Sequence, residues 1–198
     1  MKLTMMKKLT ILSLAVLSFT TTKAQIQFGL KAGANFSTVT GATDGQSAST
    51  LIGFNGGILV RLHLNSSWAI QPEALYSGQG AKYSGNSGSG TVNNAYINVP
   101  IMLTYSLPLG LSFQAGPQIG ILMSAKDNSG GITTDVKPAY KSTDISVAMG
   151  AAFTTPFKLG FDARYNLGLT NIQNAQNSNG GSLKNGVFQL GVFYLFGK

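Results

Sequence analysis

Catalysis needs titratable or nucleophilic groups that can converge, and this chain carries few: one histidine, no cysteine, and six acidic residues spread over 198 positions. His63 is the one side chain that ordinarily titrates near neutrality, so it is the natural candidate for a general base or a metal ligand. No partner stands at metal-ligand spacing from it. A larger set is formed by Lys31, Arg61, Glu73, Asp144, Asp162 and Arg164, all inside otherwise charge-poor segments. Three bases and three acids could relay protons or ions. They could equally neutralise one another in a dry interior, and a narrow interior filled by side chains favours that structural reading. Gly85-Asn86-Ser87-Gly88-Ser89-Gly90 has the glycine content of a phosphate-cradling loop but lacks the Lys-Ser/Thr ending and the helix that must follow. It reads as a flexible loop tip. The expectation is therefore no catalytic residue, no cofactor and no metal, and a chain that is not an enzyme.

The elements that would position these charges are strands. Lys2, Lys7 and Lys8 precede the apolar run Leu9 to Phe19 and the exit Thr22-Lys23-Ala24, the pattern of a cleavable signal peptide over 1–24. The remaining residues, 25–198, are expected to form one domain. Without the leader's four lysines the formal charge falls from +8 to +4, and no Lys/Arg run remains to favour nucleic acid. Charged residues make up only 10 % of the chain, against roughly 25 % in soluble domains. Apolar residues alternate with period two over eight segments, at 26–37, 52–63, 67–79, 95–105, 110–124, 142–154, 158–169 and 186–196. Connections at 64–66, 106–109 and 155–157 are tight, whereas those at 38–51, 80–94, 125–141 and 170–185 are long and polar. An even strand count with short turns at one end and long loops at the other predicts an all-β fold: an eight-stranded antiparallel up-and-down transmembrane β-barrel.

Residue size and charge decide which face looks inward. One face carries Phe28, Leu30, Phe54, Ile58, Ile101, Leu103, Phe161, Leu190 and their like, without a charge. The other carries Gly33, Gly57, Gly116, Gly150 and Gly191 beside Asn55, Gln71, Asn98, Gln114 and Gln189, together with all six charges named above. A closed sheet has the shorter circumference inside, so the small and polar face is the lumen and the bulky face meets lipid. Phe28, Trp68, Tyr105, Phe113, Phe153, Phe161 and Tyr194 then lie outward near the short-turn end, where a periplasmic aromatic girdle is expected.

Phe28-Gly29-Leu30-Lys31-Ala32-Gly33-Ala34-Asn35-Phe36-Ser37, Gln71-Pro72-Glu73-Ala74-Leu75-Tyr76-Ser77-Gly78-Gln79-Gly80, Ile97 to Leu103 and Ala115 to Gly120 resemble the small outer-membrane β-barrel family of Bacteroidota, PorT-like or porin-family. The resemblance implies the cell outer membrane and the barrel fold, and through its PorT-like label an accessory part in protein secretion. The residues themselves point to a structural or surface-interaction role with a plugged lumen. The expected partners are outer-membrane lipid and lipopolysaccharide, the latter met by loop lysines Lys82, Lys126, Lys137, Lys141 and Lys184, which outnumber loop acids Asp44, Asp127 and Asp135. A protein partner at the extracellular loops and a monomeric state complete the expectation. A soluble lipocalin-like carrier is the alternative, with the apolar face turned inward around a ligand.

Overall fold

Strictly alternating side chains cannot be satisfied by a helix, and in lipid an open sheet would leave one row of backbone N–H and C=O groups without partners; closing the sheet on itself satisfies both conditions. The computed structural model describes residues 25–41, 46–85, 88–174 and 182–197 and shows this closure. The expected leader, Asp44 and the Asn86–Ser87 part of the glycine loop lie outside the described residues. The strands are β1 (Ile26–Thr40), β2 (Gln46–His63), β3 (Trp68–Gly85), β4 (Gly88–Ser106), β5 (Leu111–Ser129), β6 (Ile132–Asp135), β7 (Thr143–Thr154), β8 (Leu159–Gly168) and β9 (Lys184–Phe196). Each neighbour pair is antiparallel, β4 pairs β5, and β9 returns to β1 with Phe28 opposite Phe196, so eight strands form a ring. β6 pairs only with β5 and stands above the ring as a short hairpin arm.

The strands end where expected at the short-turn side; at the other end β7 and β8 stop within a residue of expectation, whereas the other six barrel strands run further. β3 and β4 continue as one hairpin through Ser84↔Ser89 and Gly85↔Gly88, so most of the 80–94 connection is sheet rather than loop. Similarly β5 extends to Ser129 and folds back as β6 inside the 125–141 connection. These extensions are rich in Ser, Thr and Asn, and with no lipid on one side they have no alternation to display. Gly85 and Gly88 to Gly90 accordingly sit in strands, not in a flexible tip.

The tight turns are built locally. Asn65 Oδ1 accepts from the N–H groups of Ser67 and Trp68, both at 2.9 Å, closing an Asx turn between β2 and β3. Between β4 and β5 a 3-10 turn at Pro108–Gly110 places Gly110 at φ 88°, where a Cβ would strike the Thr154 carbonyl oxygen.

A bulge has wider consequences. Tyr96 pairs Leu122 while Ala95 pairs Ser124, leaving Met123 as an extra residue on β5. Beyond it the face exchange shifts by one: Leu122 and Ala125 are both buried while Met123 is exposed.

Candidate functional site: the filled lumen and its extracellular mouth

All six expected lumen charges, Lys31, Arg61, Glu73, Asp144, Asp162 and Arg164, are buried inside the ring. Four of them meet. Glu73 accepts from Arg164 Nη1 and Nη2 at 2.9 and 2.8 Å in a two-pronged pair, and Gln71 Nε2 adds a third bond at 2.7 Å. Lys31 Nζ bonds Asp162 Oδ2 at 2.6 Å and lies 4.0 Å from Glu73, while Arg164 Nε is 4.0 Å from the same Asp162 oxygen. The result is one alternating cluster of four charges with side chains essentially inaccessible to solvent.

Arg61 and Asp144 depart from the expectation of a six-membered salt-bridge network, for among the described residues neither forms an ion pair. Arg61 Nε donates to Gln71 Oε1 at 2.7 Å, and its guanidinium lies 5.3 Å from the Phe193 ring centroid. Asp144 sits further toward the loop end, where Asn185 Nδ2 and Thr170 Oγ1 each donate to it at 2.8 Å. Strand register separates them: Arg61 is two residues from the end of β2 and Asp144 is the second residue of β7, at opposite ends of the barrel. His63 reaches Gln27, Nε2 to Oε1 at 2.9 Å, on the periplasmic rim and away from every acid in the lumen.

Above the charge cluster lies an amide layer in which Asn35 Nδ2 donates to Ser77 Oγ, while Asn55 and Gln189 donate to Asn35 Oδ1 at 2.6 and 2.9 Å. Two apolar clusters close the ends. Leu59, Ala152, Phe193 and Leu195 pack together near the short turns, the Phe193 ring resting on Gly160 where a Cβ would collide with it. Tyr96, Leu122 and Ala125 form the second cluster, covered by Val136 and Tyr140 of the β6–β7 connection. Sequence reasoning missed both plugs. Phe193 and Leu195 share the parity of Gln189 and Gly191, but the run from Val192 to Phe196 is apolar on both faces and so hides which side is which. Leu122 and Ala125 owe their shared inward direction to the bulge.

The two long connections before β7 and before β9 lean on each other above this upper plug. Tyr140 bridges Gln173, the Lys141 N–H donates to the Ile172 carbonyl, and Ile172 is buried against the Leu183 backbone. Burial holds the Tyr140 phenol above its ordinary range. Between this roof and the strand ends is a cavity of about 300 Å³ bordered by Tyr83, Asn94, Asp127, Tyr140 and Leu183.

The outside is the inverse of the lumen. Phe28, Trp68, Tyr105, Phe113, Phe153, Phe161 and Tyr194 are all exposed, among many other bare apolar side chains. They run laterally from strand to strand: Trp68 packs on Tyr105 with ring centroids 4.8 Å apart, Tyr105 is opposite Phe113, Phe153 opposite Phe161, and Tyr194 touches Phe196, which is opposite Phe28. A lipocalin-like carrier requires the apolar face inside and the polar face in water, and the structure has the reverse.

A closed ring of eight antiparallel strands with a polar, side-chain-filled lumen and an apolar exterior defines an outer-membrane β-barrel protein. The chain belongs to the family described as the outer membrane protein beta-barrel domain, which matches residues 19–174; the ring is completed by β9, beyond that segment. Among solved structures it is similar to Neisserial surface protein A, at 15 % identity and a TM-score of 0.56, covering 85 % of this chain and 97 % of that one. It is likewise similar to Ail, the attachment invasion locus protein of Yersinia pestis (19 % identity, TM-score 0.54, 86 % and 98 % covered). OprG from Pseudomonas aeruginosa matches at 12 % identity and a TM-score of 0.52, covering 88 % and 98 %. No curated protein sequence matches the chain. These likenesses share the fold, and the protein resides in the cell outer membrane.

Proposed function

We propose that the protein is a monomeric, non-catalytic barrel that works through its extracellular end. The observation that carries this reading is the filling of the lumen: a four-charge cluster, an amide layer and two apolar clusters occupy it among the described residues. What remains for the chain to offer is the outer rim. Lys82, Lys126, Lys137, Lys141 and Lys184 are all exposed there, and we infer that they meet lipopolysaccharide phosphates of the outer leaflet. A solved structure of Ail holds the heparin analogue sucrose octasulfate, a polyanion on the same architecture. The roof made by the connections before β7 and β9 is the surface offered to a protein partner. Monomeric behaviour is supported by the closed ring, in which each of the eight barrel strands is paired on both sides and offers no edge to a second copy within the membrane.

The test replaces the five rim lysines by glutamine and measures retention of the folded barrel on immobilised lipopolysaccharide at low and at physiological salt. A loss of retention that added salt mimics in the unmodified protein is the expected result; retention unchanged by the five replacements ends the proposal. A finer reading rests on the motif resemblance to PorT-like barrels of Bacteroidota, which favours an accessory role in secretion. Co-purification of secretion components with the intact barrel would support it, and their absence under crosslinking would dismiss it.

A further inference from the structure

The cavity at the extracellular mouth has a chemistry distinct from the rest of the lumen. Val39, Ala48, Ala81, Val92 and Leu183 give it apolar walls. Tyr83 lies against Gly90, the residue opposite it in the β3–β4 ladder, where any Cβ would overlap the phenol. From that seat its hydroxyl donates to Asp127, 2.9 Å from Oδ1 and 3.0 Å from Oδ2. Glu73 and Asp162 below are held by an arginine and a lysine, whereas among the described residues no cation pairs with Asp127. A carboxylate with one phenolic donor still has acceptor capacity on both oxygens.

A second observation comes from β4. Asn94 forms part of the same wall, is only 3 % exposed, and its Oδ1 has no hydrogen-bond donor among the described residues. A buried carbonyl oxygen without a donor is costly, and the terminal torsion of an asparagine is soft enough for it to turn toward a donor that enters. Tyr140 adds a second aromatic side chain to that wall. An unpaired carboxylate, an orphaned amide oxygen and two phenol rings all favour the same visitor, a group that is positively charged and rich in N–H donors.

We propose that this cavity is a binding site for a small organic ammonium: a primary amine seated between Asp127 and Asn94, with its apolar body against Val92 and Leu183. A volume of about 300 Å³ is at the small end of ligand pockets, which suits a body of one ring or a short chain. The site is independent of the rim lysines, since Asp127 lies inside the mouth and they lie outside it.

The experiment is a titration of the full barrel in phosphatidylcholine nanodiscs with benzylammonium, followed by amide resonances of Asn94, Asp127 and Tyr140. Benzyl alcohol serves as the uncharged probe of similar shape. Saturable shifts confined to the cavity, at least tenfold weaker for benzyl alcohol and at least tenfold weaker in Asp127→Asn, are expected. Asparagine keeps an acceptor for the Tyr83 hydroxyl, and a heat-dependent mobility shift verifies that the variant is closed. No saturable shift, equal binding of the alcohol, or unaltered affinity in the closed variant overturns the proposal. If the variant does not close, the comparison of amine with alcohol on the unmodified protein decides alone. Nα-acetyl-lysine N-methylamide, run alongside, separates the sources of the ammonium: binding at least as tight as benzylammonium assigns it to a lysyl side chain, weaker binding to a free amine.

Discussion

Glu73→Gln should cost more than its size suggests. The native carboxylate accepts both Arg164 prongs and the Gln71 amide at 2.7 to 2.9 Å, and its side chain has no solvent exposure. The amide that replaces it turns one NH2 group toward donors, and the one charged partner left to Arg164 is Asp162, at 4.0 Å from Nε and already engaged by Lys31 at 2.6 Å, beside the neutral Gln114 Oε1 at 3.0 Å from Nη2. Removing one partner of a buried pair leaves an uncompensated charge and costs about 3–5 kcal/mol, roughly a thousandfold in the folding equilibrium. Reversible urea unfolding in phospholipid vesicles, followed by the single tryptophan, Trp68, measures this. If the charge rather than the lost contact is responsible, adding Arg164→Met to Glu73→Gln should restore at least half of the loss, because the orphaned cation is gone. A Glu73→Gln loss below about 1 kcal/mol, or a double variant no more stable than the single one, would refute the view that these charges neutralise each other in a dry lumen.

Two further outcomes follow from the same geometry. Gly116→Ala should lose about 1–3 kcal/mol by overpacking, since its Cβ would press into the Ile101 carbonyl oxygen of β4, whereas Gly130→Asn, at φ 57° with open space around it, should change stability by no more than about 0.5 kcal/mol in the same urea assay. Trp68, 40 % exposed and packed at a tilt on Tyr105, should be quenched more strongly by lipids brominated near the headgroup than near the chain terminus; the opposite order would remove the aromatic band from the membrane interface.

Much of the barrel was legible because side-chain direction in a strand has a period of two and needs no tertiary information. The alternation in 97–105 and 158–167 is enough to place Ile101, Leu103 and Phe161 outside and Asp162 and Arg164 inside, and Asn65 and Pro108 mark their turns by local chemistry. Legibility failed wherever both faces share one solvent. The hairpin extensions of β3–β4 and β5–β6 are polar on both sides, and the end of β9 is apolar on both sides, so neither displays an alternation.

By itself, then, the sequence determined which residues face lipid, where the chain turns at the short-turn end, and that the buried charges are balanced by opposite signs in one lumen. Which charge meets which was decided only by closure. Lys31 and Asp162 stand 131 residues apart, and Glu73 and Arg164 stand 91 apart; they face each other because β9 completes the ring and fixes the height of β8 relative to β1 and β3. The same closure leaves Arg61 and Asp144 at opposite ends with neutral partners. The mouth cavity likewise belongs to the tertiary structure, since the Met123 bulge, the glycine seat of Tyr83 and the crossing of two connections must coincide to bring Asp127 and Asn94 into the wall of one cavity. Periodicity along one strand carries no record of such contacts, because they depend on register between strands distant in sequence.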